Sequence, residues 1–172
     1  MHTTDLPRFL ADEANAFAQF AAPLTEAQFA HQPDGRWSVG DTAQHLYLSV
    51  KPVVRVLSSP REIFEQWGDA EGLSRTYEVL AETYHRVLQT TGIKAPTSFS
   101  PRPDDVPADK TALITRLSDT YKALGDQLTA FSNRELDRYR MPHPALGMLS
   151  VREMVLFTGV HTRHHIAVLQ RY

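Results

Sequence analysis

Residues 109–131, DKTALITRLSDTYKALGDQLTAF, carry the most regular pattern in the chain. Apolar side chains recur there every three or four residues, at Leu113, Leu117, Tyr121, Leu124, Leu128 and Phe131. This spacing places them on one face of an α-helix, whereas a half-buried strand would need apolar residues at every second position. The stretch therefore predicts a long amphipathic helix whose apolar face packs into a core.

The same helical period occurs in other parts of the chain. Further long helices are predicted from Leu6 to a stop at Pro23, from Ser38 onwards, over about residues 74–90, and from Ser150 onwards. Shorter helices are expected after Thr25 and after Pro60. The interpretation is an all-α protein, a four-helix bundle with additional shorter helices, in which residues 1–172 form a single domain.

Local signals refine these boundaries. Ser38 with Asp41, and Ser150 with Glu153, have the three-residue spacing of capping boxes. Pro52 is expected to kink the second long helix or to end it early. No alternating strand pattern competes anywhere, so residues 141–147 are expected to form a turn-rich loop. Residues 93–108 contain four prolines and are expected to form an irregular connection that is either a lid, a wall of a site or disordered.

Composition excludes several classes of function. The 172 residues include 18 Lys and Arg against 20 Asp and Glu, which gives a net charge of −2 and no basic footprint for nucleic acid or an anionic membrane. Cysteine is absent, which excludes disulfides, cysteine-ligated metals and cysteine nucleophiles. No apolar run is long enough for a membrane helix and the N-terminus does not resemble a signal peptide, so a cytoplasmic protein is expected.

Histidines near the C-terminus are the main chemical signal. His161 and His165 stand four residues apart on a predicted helix, so both imidazoles can reach one metal ion. His164 lies three residues after His161 and could form the pair instead. A tight site needs a further ligand, for which His45 in the second long helix is a candidate. An incidental histidine pair on a helix is the competing interpretation.

The residues around these histidines resemble the DinB/YfiT-like superfamily of metal-binding four-helix bundles. Trp37-Ser38-Val39-Gly40-Asp41-Thr42-Ala43-Gln44-His45-Leu46 is similar to that family's W-S-x-x-(D/E)-x-x-x-H-L segment. The lead-in over residues 144–150 and the H-x-x-x-H of the last helix are also similar. The resemblance extends from Thr25 to Leu169. One departure is Ile166-Ala167-Val168, where many members have a Gly-Gln pair one residue after the last ligand.

The resemblance implies a metal site and a class of chemistry. The family's ligands correspond to His45, His161 and His165, which would leave open positions on one divalent transition metal ion, with zinc or nickel favoured. It implies a thiol-dependent S-transferase acting on a small molecule, with a low-molecular-weight thiol as co-substrate. A hydrolase of the YfiT type and a non-enzymatic metal-binding or stress-response bundle are the alternatives. The resemblance also suggests a homodimer.

Several neighbouring residues have weaker assignments. Candidates for contacts around the metal or with substrate are Asp41, Thr158, Arg163 and His164. Asp41 lies one turn before His45 and could bind its ring, although helix capping explains it equally well. Arg163 could bind a substrate carboxylate. His85 and His143 are expected to be structural or surface residues, and Trp37 is expected only to pack at the base of the bundle, where the second long helix begins.

Overall fold

The computed structural model describes residues 1–102 and 109–171. Its α-helices are α1 (Leu6–Ala21), α2 (Glu26–Ala30), α3 (Val39–Leu57), α4 (Tyr77–Thr91), α5 (Lys110–Leu128), α6 (Asn133–Arg138) and α7 (Val151–Leu169). Short 3-10 helices cover Thr3–Asp5, Pro33–Gly35, Arg61–Trp67 and Thr97–Phe99. Two strands, β1 (Arg140–His143) and β2 (Gly147–Ser150), form a hairpin.

Four long helices form a closed ring of contacts. Helix α5 packs against α1 and α3, and α7 closes the ring by packing against the same two helices. Helix α4 lies outside the ring and contacts α7. The predicted apolar face of α5 is buried from Leu113 to Leu128, and Phe131 is buried just beyond the helix end. The predicted all-α fold is therefore confirmed.

Helix α7 is the most deeply buried element of the bundle. Every residue from Val151 to Thr162 is buried, including the charged Arg152 and Glu153. Arg152 donates to both carboxylate oxygens of Asp137, at 2.6 and 3.0 Å. Arg75 donates to both carboxylate oxygens of Glu153, at 2.8 and 3.0 Å. These pairs allow a helix with charged residues in its first turn to lie in the centre of the protein.

The hairpin corrects the prediction of a loop at 141–147 and of a chain without strands. Met141 pairs with Leu149, and Gly147 adopts φ = 73°, a left-handed conformation that glycine adopts without strain. Each strand has only four residues, and β1 contains Pro142. Strands of four residues are too short to show a clear alternation of apolar and polar residues in the sequence. Only Met141, Leu149 and Ser150 of the two strands are buried, so burial does not alternate along them either.

Other boundaries also differ from the prediction. Helix α4 begins at Tyr77 with Thr76 as its N-cap, rather than at Ser74, because Ser74 instead hydrogen-bonds to Asp137 and Ser150. Pro52 lies inside α3, which continues to Leu57 and so does not end early. Helix α6 was not predicted. Among the described residues, no helix is long and apolar enough to span a membrane.

Ser38 fixes the start of α3, the helix that carries His45. Its Oγ accepts from the Asp41 backbone N–H at 2.9 Å, and the Asp41 carboxylate accepts from the Ser38 N–H at 2.9 Å. We expect Ser38→Ala to lower the free energy of unfolding by about 1 kcal/mol, because the part-buried Asp41 N–H in the first turn loses its acceptor. Urea unfolding measures this change. Ser98→Ala, at an exposed position, is the control and should change stability by less than about 0.5 kcal/mol; equal effects would contradict the capping role.

Candidate metal centre

The ring of helices brings the three predicted ligands together. His45 lies on α3, and His161 and His165 lie one turn apart on α7. His161 Nε2 is 3.1 Å from His45 Nε2 and 3.0 Å from His165 Nε2. One nitrogen from each ring lies within 4.8 Å of the other two, so the group could hold a metal ion. Of the described residues, only these form a group of this kind.

The nitrogen separations suit a shared cation. Nitrogen ligands bound at about 2.1 Å to one ion stand roughly 3.0 to 3.4 Å apart for bond angles between about 90° and 109°. Without a cation, the His161 Nε2 atom has either one proton or one lone pair. It can therefore form a good hydrogen bond with only one of its two neighbours, and a buried ring nitrogen is left without a partner. A cation at the centre would be bonded by all three.

A backbone carbonyl orients the His45 ring. The His45 Nδ1–H donates to the Phe99 carbonyl oxygen at 2.7 Å, which leaves the Nε2 lone pair directed at the other histidines. The predicted contact from Asp41 to this ring is not formed. The Asp41 carboxylate instead accepts from Ser38 and from Gln32 Nε2, the latter at 2.7 Å. Helix capping therefore accounts for Asp41.

All three rings are held in the form that a metal requires. Burial lowers the pKa of His161 and of His165, and the neighbouring histidines lower both further. Burial also lowers the pKa of His45, although the Phe99 carbonyl partly opposes this shift. Because protonated imidazole cannot bind a metal, neutral rings keep their lone pairs available at neutral pH.

The histidines lie in the wall of a large cavity. Its volume is about 650 Å³, within the range of small-molecule sites. Aromatic side chains form much of the wall: Trp37, Trp67, Tyr84, Phe99 and Phe157. Aliphatic residues from α3 and the β1–β2 hairpin complete it. A small molecule can thus approach the three ring nitrogens through a largely apolar space.

Trp37 is part of this wall, which corrects its predicted role as packing alone. Its ring centroid lies 4.9 Å from that of His45 and 6.5 Å from that of His165. The position follows from the start of α3, because Trp37 directly precedes the Ser38 cap. The indole therefore covers the side of the histidine cluster next to the helix entry.

Two other predictions for single histidines are refined. His143 was expected to be structural or on the surface, yet it lines the cavity and packs against Phe157 at 4.2 Å between centroids. His164 also lines the cavity, beside Tyr84 and His85, at 5.4 and 5.8 Å between centroids. Burial lowers the pKa of both His143 and His164 to about 4. His164 is outside the group of three that could hold the metal.

Thr158 and Arg163, two of the weaker candidates, lie in different surroundings. Thr158 lines the cavity, with its hydroxyl donating to the Met154 carbonyl at 3.2 Å. Arg163 is not placed to bind a ligand in the cavity, because its guanidinium forms a paired contact with the Glu13 carboxylate on α1, at 2.6 and 3.1 Å. The structure therefore pairs Arg163 with Glu13 and gives no support to a role in binding a substrate carboxylate.

The proline-rich connection contributes to the site through its first part. Ile93, Lys94, Ala95, Pro96 and Phe99 line the cavity. This part is consequently a wall, as one of the alternatives predicted. Pro103 and Pro107 of the same predicted segment lie outside the described residues. Sequence reasoning missed the Phe99 carbonyl, since a backbone group in an irregular segment has no sequence signature.

Comparison with known families agrees with this arrangement. The DinB superfamily model matches residues 10–169, nearly the full chain. No curated protein and no solved structure matches the chain. The matched region includes α3 and α7 and therefore all three clustered histidines. The helical fold agrees with this match over nearly the full chain. The chain belongs to the DinB superfamily.

Proposed function

We propose that this protein is a divalent-metal-dependent enzyme that transfers a low-molecular-weight thiol to a small electrophilic molecule. The observation that carries the proposal is the convergence of three neutral imidazole nitrogens in the wall of a cavity of about 650 Å³. His45, His161 and His165 would hold the metal, with zinc or nickel favoured by the nitrogen ligands. Three ligands leave positions open on the side of the cavity.

The bound ion would act as a Lewis acid that lowers the pKa of a thiol or water beside it. The protein's own residues orient the ligands and shape the space. The Phe99 carbonyl holds the proton of His45 on Nδ1 and so presents Nε2. Trp37 and Phe157 flank the cluster and exclude water from one side of each ring. Substrate would enter through the remaining space of the cavity.

The cavity wall favours thiol transfer over hydrolysis. Metal-dependent hydrolysis commonly uses a carboxylate or histidine as general base for water. Among the described residues that line the cavity, none is Asp or Glu. His143 and His164 have pKa values lowered to about 4 by burial, which makes them weak bases at neutral pH. A thiol depends less on a general base than water does, because the pKa of a thiol is much lower than that of water.

The assay follows thioether formation between a low-molecular-weight thiol and 1-chloro-2,4-dinitrobenzene by absorbance. With one equivalent of Zn²⁺ or Ni²⁺, we expect the rate to exceed that of the chelator-treated protein by at least about 10-fold. Ester hydrolysis without thiol is measured in parallel with p-nitrophenyl acetate. Metal-dependent hydrolysis without thioether formation would support the hydrolase alternative. Bound metal without either reaction would contradict both and support a non-enzymatic metal-binding protein.

We further propose that the enzyme works on its small-molecule substrate as a homodimer, without nucleic acid or membrane as partners. Membership of the DinB superfamily supports the dimer. Light scattering coupled to size exclusion measures the mass in solution. A mass near twice the 19.4 kDa of one chain is the expected result, and a mass near 19.4 kDa would contradict it.

A further inference from the structure

His143 has one ring nitrogen committed to the backbone. Its Nδ1 accepts from the N–H groups of Ala145 and Leu146 at 3.2 and 3.1 Å, inside the turn of the β1–β2 hairpin. A nitrogen that accepts has no proton, so the proton of the neutral ring is on Nε2. The hairpin therefore fixes His143 as an Nε2–H donor.

This donor is available to a ligand. His143 lines the cavity, and no described residue accepts a hydrogen bond from its Nε2–H. Two hydroxyl donors of the wall are already in use, because Ser49 donates to the His45 carbonyl at 2.8 Å and Thr158 to the Met154 carbonyl at 3.2 Å. A ligand with an oxygen acceptor would satisfy the Nε2–H of His143, whose direction the hairpin turn fixes.

Phe157 contacts both His143 and the histidine cluster. The Phe157 ring lies 4.2 Å from the His143 ring and 5.5 Å from the His161 ring, between centroids. An apolar molecule in contact with Phe157 would thus lie close to both His143 and His161. Its flat faces would meet the aromatic wall, where Trp67 and Tyr84 also contribute.

Charge around the cavity discriminates between ligands. The described lining contains no Asp or Glu, and its charged residues are Arg36 and Lys94, both exposed at the rim. A cation entering this space would meet the positive charge of Lys94 and no carboxylate of the described lining. A neutral molecule would meet no such barrier, and an anion would be attracted to the rim by Lys94.

We propose that the cavity takes an apolar, aromatic-sized substrate that carries an oxygen acceptor for His143 and is neutral or anionic. This inference rests on the proposed function only in taking the ligand as the substrate of the metal centre. It adds His143, which packs against Phe157 beside the three clustered histidines, as the residue that orients the substrate. Cationic molecules of the same shape are disfavoured, because they lack the acceptor for His143 and meet Lys94.

A matched series of naphthalenes tests the proposal on chelator-treated protein. The dissociation constants of 2-acetylnaphthalene, 2-ethylnaphthalene, 2-naphthoate and 1-(2-naphthyl)ethylammonium are measured by equilibrium dialysis. We expect the ketone to bind about 5-fold to 10-fold more tightly than the ethyl compound, since only the ketone has an acceptor. The ammonium compound should bind at least about 10-fold more weakly than the ketone. Equal binding of ketone and ethyl compound, or of ketone and ammonium compound, would overturn the proposal.

His143→Asn isolates the donor. Asn retains an acceptor near the position of Nδ1 for the two backbone N–H groups, but it has no group at the position of Nε2. The ratio of the ketone affinity to the 2-ethylnaphthalene affinity should fall from about 5-fold to 10-fold in the wild type to about 1 in the variant. A retained advantage would contradict the role of His143. Lys94→Gln should weaken 2-naphthoate a few-fold and leave the ketone unchanged.

The same measurements separate this inference from the metal site. The His45→Ala variant tests the metal site by itself, because it lacks one proposed metal ligand and keeps the His143 turn intact. If the metal proposal fails while the ketone preference persists in wild type, the cavity inference stands alone. If metal binds stoichiometrically and the ketone preference is missing, only the cavity inference fails. Should His143→Asn not fold, the series on the wild-type protein still decides the outcome.

Discussion

Replacing His161 by alanine should abolish stoichiometric metal binding. His161 is the central member of the cluster, because its Nε2 lies within 3.1 Å of both other ring nitrogens. Its loss leaves two imidazoles on different helices, too few for a tight site. We expect about one zinc or nickel ion per chain in the wild type after reconstitution and dialysis, and less than about 0.1 in the variant, with affinity lowered at least about 100-fold. Elemental analysis of untagged protein measures the difference.

His164→Ala is the matched control for this prediction. The residue lies in the same helix and the same cavity, but it packs beside Tyr84 and His85 and is outside the cluster. It should retain one ion per chain. Added metal should also raise the free energy of unfolding of the wild type and of His164→Ala by about 4 kcal/mol at a thousand-fold excess over the dissociation constant, and leave His161→Ala unchanged. Metal retained by His161→Ala, or lost equally from His164→Ala, would contradict the assignment.

Helical periodicity was sufficient for the bundle. The regular spacing from Leu113 to Phe131 gave α5 and its buried face, and the capping boxes at Ser38 and Ser150 gave the starts of α3 and α7 to the residue. The hairpin could not be predicted in this way. Its strands are too short for a period, and they are held by pairing with each other and by contact with α7.

The candidate site also contains some features that the sequence predicts and others that it does not. The pitch of one helix places both His164 and His165 beside His161, so the sequence alone predicts a histidine pair but not which of the two completes it. Adding His45 required a family resemblance, since helices that are distant in sequence meet only through packing. The Phe99 carbonyl and the fixed tautomer of His143 depend on the path of irregular backbone. The amino-acid type at a position gives no direct information about contacts made by backbone atoms.

The stability of the metal-free protein should depend on pH through His143. Burial lowers its pKa to about 4 in the folded state, against about 6.5 in an unfolded chain. Protonation would also place a hydrogen on Nδ1, opposite the N–H groups of Ala145 and Leu146. Below pH 6.5 the unfolded chain binds a proton that the folded protein does not, so acidification favours unfolding. His143 should account for a loss of about 2 kcal/mol between pH 8 and pH 5.

His143→Asn removes this titration and keeps the acceptor for the turn. Urea unfolding of both proteins with chelator at pH 8 and pH 5 gives four free energies of unfolding, and their double difference reports the titration of His143 together with its electrostatic effect on His161. We expect the wild type to lose about 2 kcal/mol more than the variant over this interval, because only its folded state resists protonation at this position. Circular dichroism at pH 8 checks that the variant is folded. Parallel pH dependences would show that the folded protein accepts the proton at His143 without cost, which is incompatible with an Nδ1 held by two backbone donors.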